Sequence, residues 1–129
     1  MDVGKVTYDT VSSFLLGYQL ATDGGALTGF HEWLVVRIRR GDNLAWTALV
    51  LYAAFPDSAN PLVELKKPGS DEVAVKVLGH LLNEFWSQTS SRDGLRQVFV
   101  DYNEWCKQRE QQLESLAASI PRLDDDINL

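Results

Sequence analysis

The residues that could do chemistry begin with the adjacent pair His31 and Glu32. On a helix, such a pair followed by a second histidine binds zinc, and the glutamate serves as the general base. That second histidine would stand at the position of Val35. The only other histidine is His80 and there is one cysteine, too few ligands for the usual zinc sets. We therefore expect neither a metal nor any other cofactor.

The remaining candidates for catalysis also favour structural roles. Cys106 lies beside a tryptophan on the apolar side of a predicted helix, which is typical of a buried, inert thiol. Asp101 and Glu104 are three residues apart, as on an exposed charged helix face. No serine-hydrolase or phosphate-loop motif occurs. The sequence predicts a protein that is not an enzyme; an active site built from distant residues stays open as an alternative.

Helical periodicity of the apolar residues predicts the elements that position these side chains. We expect an all-α, single-domain bundle of about five helices, with these approximate bounds: Thr7 or Asp9 to Ala21, Thr28 to Arg40, Leu44 to Phe55, a helix following Ser70, and Arg92 to Ala118. The alternative is an α+β fold with a hairpin at 33–52. Alanines in this region favour helices, because alanine is a strong helix former and is depleted in strands.

Local signals refine the predicted helices. In the first helix, Phe14 and Tyr18 join an apolar face with Val11 and Leu15, and this face should point into the core. Asp42 and Asn43 are good N-caps for the third helix. Asn60-Pro61 fits the start of a short helix. Two glycines inside helices, Gly17 and Gly79, predict close approach of a neighbouring helix, since glycine costs about 1 kcal/mol relative to alanine there.

Composition and charge limit the number of domains and the kinds of partner that the chain can have. The 129 residues are 45% hydrophobic, with a formal net charge of −6 and a pI of about 4.8, which fits one globular domain. We assign residues 1–120 to the helical domain and 121–129 to an acidic C-terminal tail. The negative charge argues against nucleic acid and anionic membranes, and it permits a basic protein partner.

Targeting signals are not visible in the sequence. Its single cysteine rules out an intramolecular disulfide and fits a reducing compartment. The first ten residues lack the pattern of a secretory signal, and the longest apolar-rich run is too short to span a bilayer. We expect a cytoplasmic protein.

A protein-binding surface is the functional hypothesis that these exclusions leave. Trp33 and Trp46 flank the arginine-rich turn, and tryptophan is enriched at binding hot spots. If one of them is partly exposed among Asp23, Glu32 and Asp42, the five residues form an acidic-aromatic patch for a basic partner. The alternative is that both tryptophans belong to the core.

The block from Gly29 to Pro56 contains the strings GFHEWL, DNLAW and LVLYAAFP. It resembles a group of small, stand-alone bacterial helical proteins, some of which are immunity proteins of polymorphic or contact-dependent toxins. The resemblance implies a cytoplasmic, non-enzymatic inhibitor that binds one cognate toxin domain, often a nuclease. It transfers no contact residue, because immunity surfaces diverge with their toxins.

Two other classes of function stay open beside the immunity protein. One is a helical adaptor or a homo-oligomeric structural protein that dimerises through its last helix. The other is a small ligand-binding protein or enzyme.

Overall fold

The computed structural model of this chain describes residues 6–120, and within that range every regular element is helical. The helices are α1 (Tyr8–Ala21), α2 (Phe30–Ile38), α3 (Trp46–Ala54), α4 (Pro61–Glu64), α5 (Ser70–Gln88) and α6 (Arg92–Ser119), with a 3₁₀ turn at Gly25–Leu27. The predicted all-α bundle is confirmed. The acidic tail at 121–129 lies outside the described residues.

The region that could have formed a hairpin is instead α2, a short connection and α3. Arg39 ends α2 in the left-handed conformation, with φ of 62°, and Gly41 follows with φ of 80°. The N-cap of α3 is Ala45, which makes no side-chain hydrogen bond. The predicted capping by Asp42 and Asn43 is therefore wrong, because α3 begins later than these residues.

Capping bonds fix the N-terminal end of α1. Thr7 is the N-cap, and its Oγ1 accepts a hydrogen bond from the Thr10 amide at 3.1 Å. The amide of Tyr8 donates to Oδ1 of Asp71 at 2.9 Å. Since Asp71 lies in the first turn of α5, one carboxylate stabilises the start of two helices.

The core is centred on Phe30, the first residue of α2. Its ring lies 5.6 Å from that of Trp46 in α3 and 5.3 Å from that of Phe85 in α5, both edge-on, and 6.1 Å from that of Trp33. Edge-to-face pairs add stabilisation beyond the area that they bury. This aromatic cluster therefore joins three helices at one point.

The glycines inside helices do not mark helix contacts, contrary to the expectation. No heavy atom lies within 4 Å of the Cβ position of Gly17 or Gly79. The close approach occurs at Gly29, just before α2, where a Cβ would lie 3.1 Å from Cδ1 of Leu95 in α6. Gly29 also has φ of 88°, a conformation that glycine adopts without strain.

The C-terminal part of α6 extends beyond the bundle. Every residue of 110–120 is exposed, as the wholly polar run at 107–112 indicates. Only the earlier part of the helix packs on α2, beginning with the contact to Gly29. Local helix propensity and side-chain pairs within the helix must stabilise the projecting part.

Candidate functional site

The two tryptophans of the predicted patch are core residues. Trp33 is 7% exposed and Trp46 is 3% exposed. Each indole Nε1 donates to a glutamine Oε1, that of Gln88 at 2.9 Å for Trp33 and that of Gln19 at 3.2 Å for Trp46. Of the two alternatives, the one in which both tryptophans belong to the core is confirmed, and both polar edges are satisfied inside the fold.

The three carboxylates of that patch hold separate positions. Asp23 follows α1 with φ of 52°, and the amide after it closes the helix by donating to the Gln19 carbonyl at 2.8 Å. Asp42 pairs with Arg109 of α6. Glu32 is 28% exposed. Within residues 6–120, no hydrogen bond or ion pair joins any of the five predicted residues to another. Because both tryptophans are buried, the aromatic part of the predicted patch is not on the surface.

His31 has a structural partner. Its Nε2 lies 2.8 Å from the carbonyl oxygen of Leu44, so the ring connects α2 to the segment that leads into α3. Its Nδ1 lies 4.0 Å from Oε1 of Glu32. The described residues contain no cluster of three metal-ligating side chains. This arrangement holds a loop and supplies no zinc ligand set.

Cys106 is half-buried in α6, next to Tyr102. Partial burial raises the pKa of Tyr102, and the neighbouring Cys106 raises it further. No histidine or lysine contact is found that would activate the thiol among the residues that the structure describes. The pair has no arrangement for nucleophilic catalysis, which needs a base beside the nucleophile.

The surface that stands out lies on α1. Phe14 is 74% exposed and Leu20 is 85% exposed, and Leu16 and Tyr18 are also exposed. Because the helix turns about 100° per residue, Phe14 and Tyr18 lie on one side of the buried stripe and Leu16 and Leu20 on the other. We call the four residues together the α1 apolar surface. The prediction that Phe14 and Tyr18 point into the core is wrong, because the buried side of the helix carries other residues. Tyr8, Val11, Ser12 and Leu15 take that side.

An apolar groove runs beside this surface, between α1 and α4. It encloses about 230 Å³, and Leu51 and Leu65 are among its lining residues. Leu16 lines its α1 side and Leu62, which is 63% exposed, lines its α4 side. Asp9 also borders it. We call this feature the α1–α4 groove; it offers an apolar cleft with a carboxylate at its edge.

In the sequence from Val6 to Val36 the charged residues have one sign. Between Val6 and Val36 the charged residues are Asp9, Asp23 and Glu32, and this stretch contains no lysine or arginine. Sequence reasoning missed this site, although one signal was present. Helix α1 carries six large apolar or aromatic residues after Asp9, at 11, 14, 15, 16, 18 and 20. That is more than one buried stripe accommodates.

Comparison of the chain with protein-family models, with curated proteins and with solved structures finds no match. No helix in residues 6–120 combines the length and the apolar character that crossing a bilayer requires. We therefore infer function from the exposed residues and cavities of the described structure.

Proposed function

We propose that this protein is a non-enzymatic protein-binding domain and that it binds a basic partner through the α1 apolar surface and the α1–α4 groove. The observation that carries the proposal is the exposure of Phe14 and Leu20, at 74% and 85%, on a helix whose surroundings in sequence are only acidic. Contiguous exposed apolar side chains mark interaction sites, and Leu16 and Leu20, one helical turn apart, lie on the side of α1 that borders the groove. Phenylalanine and tyrosine are enriched in the centres of such interfaces.

Charge determines the kind of partner. Asp9 and Asp23 lie at the two ends of the exposed helix, and the whole chain has a net charge of −6. A partner with lysines or arginines around an apolar protrusion fits both features. Complementary charge speeds association and suppresses wrong partners. A leucine or phenylalanine of the partner would enter the groove, and a neighbouring lysine or arginine would form an ion pair with Asp9.

An immunity protein that blocks a basic toxin domain is the specific function that we propose. Small size, acidity and the resemblance of the block from Gly29 to Pro56 support it. The block itself forms α2 and α3, and its Phe30, Trp33 and Trp46 are in the core, so it supplies the scaffold. The α1 surface then supplies the contact. This division agrees with a family in which the scaffold is shared and the contact surface varies.

The test is co-expression with the toxin encoded by the adjacent gene, together with calorimetric titration of its purified toxin domain. We expect rescue of growth by the native chain and loss of rescue by Leu20→Lys, because that change places a cation on the contact surface. Leu113→Lys is the matched control, since Leu113 is 55% exposed on the projecting part of α6.

Two results would contradict this proposal. One is full protection by Leu20→Lys in a chain whose fold is unchanged. The other is the absence of any toxin gene beside this one, which would remove the immunity role and leave only the binding domain. Equal loss of protection in Leu113→Lys would move the contact to α6.

A second candidate, self-association, is favoured by the projecting part of α6. Leu113 and Leu116 are exposed and three residues apart on this helix, and Ile120, its C-cap, is exposed directly after it. A second copy of this helix, antiparallel to the first, would cover these side chains. Light scattering after size exclusion tests it: a dimer that Leu116→Lys dissociates supports it, and a monomer at all concentrations refutes it.

A further inference from the structure

We propose that the cavity between the end of α2 and the middle of α6 is a binding site for a small oxyanion, such as the phosphoryl group of a metabolite. The cavity encloses about 360 Å³, within the usual range for ligand pockets. We call it the arginine cavity, because Arg39, Arg40 and Arg109 line it. Nothing in the proposed partner-binding surface uses these residues.

Two of the three guanidinium groups are held in place by aromatic rings. That of Arg40 lies 4.2 Å from the ring centroid of Tyr52. That of Arg109 lies 5.5 Å from the ring centroid of Trp105 and also pairs with Asp42. Stacking of this kind restrains a flexible side chain. Arginines fixed before a ligand arrives lose less entropy when they bind it.

The third arginine occupies a conformation that its residue type rarely adopts. Arg39 has φ of 62°, where glycine, asparagine or aspartate is favoured. A strained residue at a cavity points to a function of its side chain. The carbonyl groups at the end of α2 favour nearby cations, which explains arginines at 39 and 40. This effect does not explain why Arg109 of α6 also lines the cavity.

The charge balance of the cavity is positive within an acidic protein. Three arginines line the cavity. Among the residues that the structure describes, one carboxylate pairs with them, that of Asp42 with Arg109. The side-chain amides of Gln108 and Gln112 add neutral donors to the wall. Arginine forks match the oxygens of phosphate and carboxylate groups. Long polyanions are disfavoured because the chain as a whole carries −6, so a small ligand is the better fit.

The test titrates the full chain with inorganic pyrophosphate. Binding is measured by calorimetry and by the NMR resonances of the indole N–H groups of the four tryptophans. We expect the Trp105 resonance to move, since Trp105 lines the cavity. Trp33 and Trp46 should stay fixed, because they are buried elsewhere. Arg39→Asn, which retains a residue suited to the left-handed conformation, should weaken binding about tenfold, the usual scale for one charged hydrogen bond.

Arg37→Gln is the matched control. Arg37 lies on the same helix but pairs with Glu84, outside the cavity. If Arg37→Gln weakens pyrophosphate binding as much as Arg39→Asn, or if the Trp105 resonance does not move, the proposal is overturned. Equal displacement by chloride at matched ionic strength would also overturn it, because that result indicates screening alone.

Discussion

The indole Nε1 of Trp33 in α2 donates a hydrogen bond to Oε1 of Gln88, the last residue of α5, at 2.9 Å. The bond joins two core helices at the residue that first suggested a contact surface. It explains how a large polar aromatic side chain can be buried with its donor satisfied. This side chain therefore stabilises the core, and the exposed apolar side chains lie on another helix.

Trp33→Phe should destabilise the protein by about 1–3 kcal/mol. The substitution removes buried atoms and leaves the Gln88 amide oxygen without its donor. Urea unfolding, followed by circular dichroism, measures the loss. Trp86→Phe is the control, because Trp86 is 43% exposed and bonds a carbonyl at the surface; it should cost less than Trp33→Phe. An equal cost for both would contradict the assigned core.

Tyr8 should make stability depend on pH in alkaline solution. Burial raises the pKa of Tyr8 well above its ordinary value, and its hydroxyl donates to the Thr47 carbonyl at 2.5 Å. The folded state therefore keeps the proton while the unfolded state loses it above about pH 10. Because the unfolded state then binds fewer protons, the free energy of unfolding falls as pH rises.

The measurement is the unfolding free energy of the native chain and of Tyr8→Phe between pH 7 and 11. Below pH 10 the Tyr8 contribution is complete, and Tyr8→Phe should cost about 1 kcal/mol from the lost hydrogen bond. Above pH 10 the native chain should lose up to about 1.4 kcal/mol per pH unit more than the variant. Parallel pH profiles for the two chains would show that Tyr8 ionises freely in the fold.

Gly17→Ala and Gly79→Ala should each stabilise the protein by about 0.5–1 kcal/mol. Both positions lie inside helices with no heavy atom within 4 Å of the Cβ position, so alanine restricts the unfolded chain without a clash. Gly94→Ala is the contrasting variant, because its Cβ would overlap the carbonyl oxygen of Gln88. Thermal melting measures all three. Destabilisation by Gly17→Ala would reveal a packing contact at α1.

The ion pair between Asp42 and Arg109 should contribute little to stability. Their side chains are 32% and 42% exposed, and solvent screens a pair at that exposure. A double-mutant cycle with Asp42→Asn and Arg109→Gln should give a coupling energy below about 1 kcal/mol that shrinks as salt is added. A larger, salt-insensitive coupling energy would mean that the pair stabilises the packing of α6 against the α2–α3 connection.

Much of the fold could be predicted because its signals are local. Apolar spacing and the residues Thr7 and Pro61 placed the helices to within a few residues. The starts of α3 and α2 were less well predicted. Asp42 and Asn43 are both suitable N-caps by residue type. Asp42 instead pairs with Arg109 of α6, and this contact depends on the position of a distant helix.

The sequence by itself determined the helical class and the projection of α6, because these follow from periodicity and from runs of polar residues. Only the tertiary structure decided which apolar residues of α1 are buried. Val11 and Phe14 are both apolar, but one packs against the core and the other is 74% exposed. The difference is set by the direction from which α3 and α5 pack against the helix, a relationship between distant segments that no local pattern encodes.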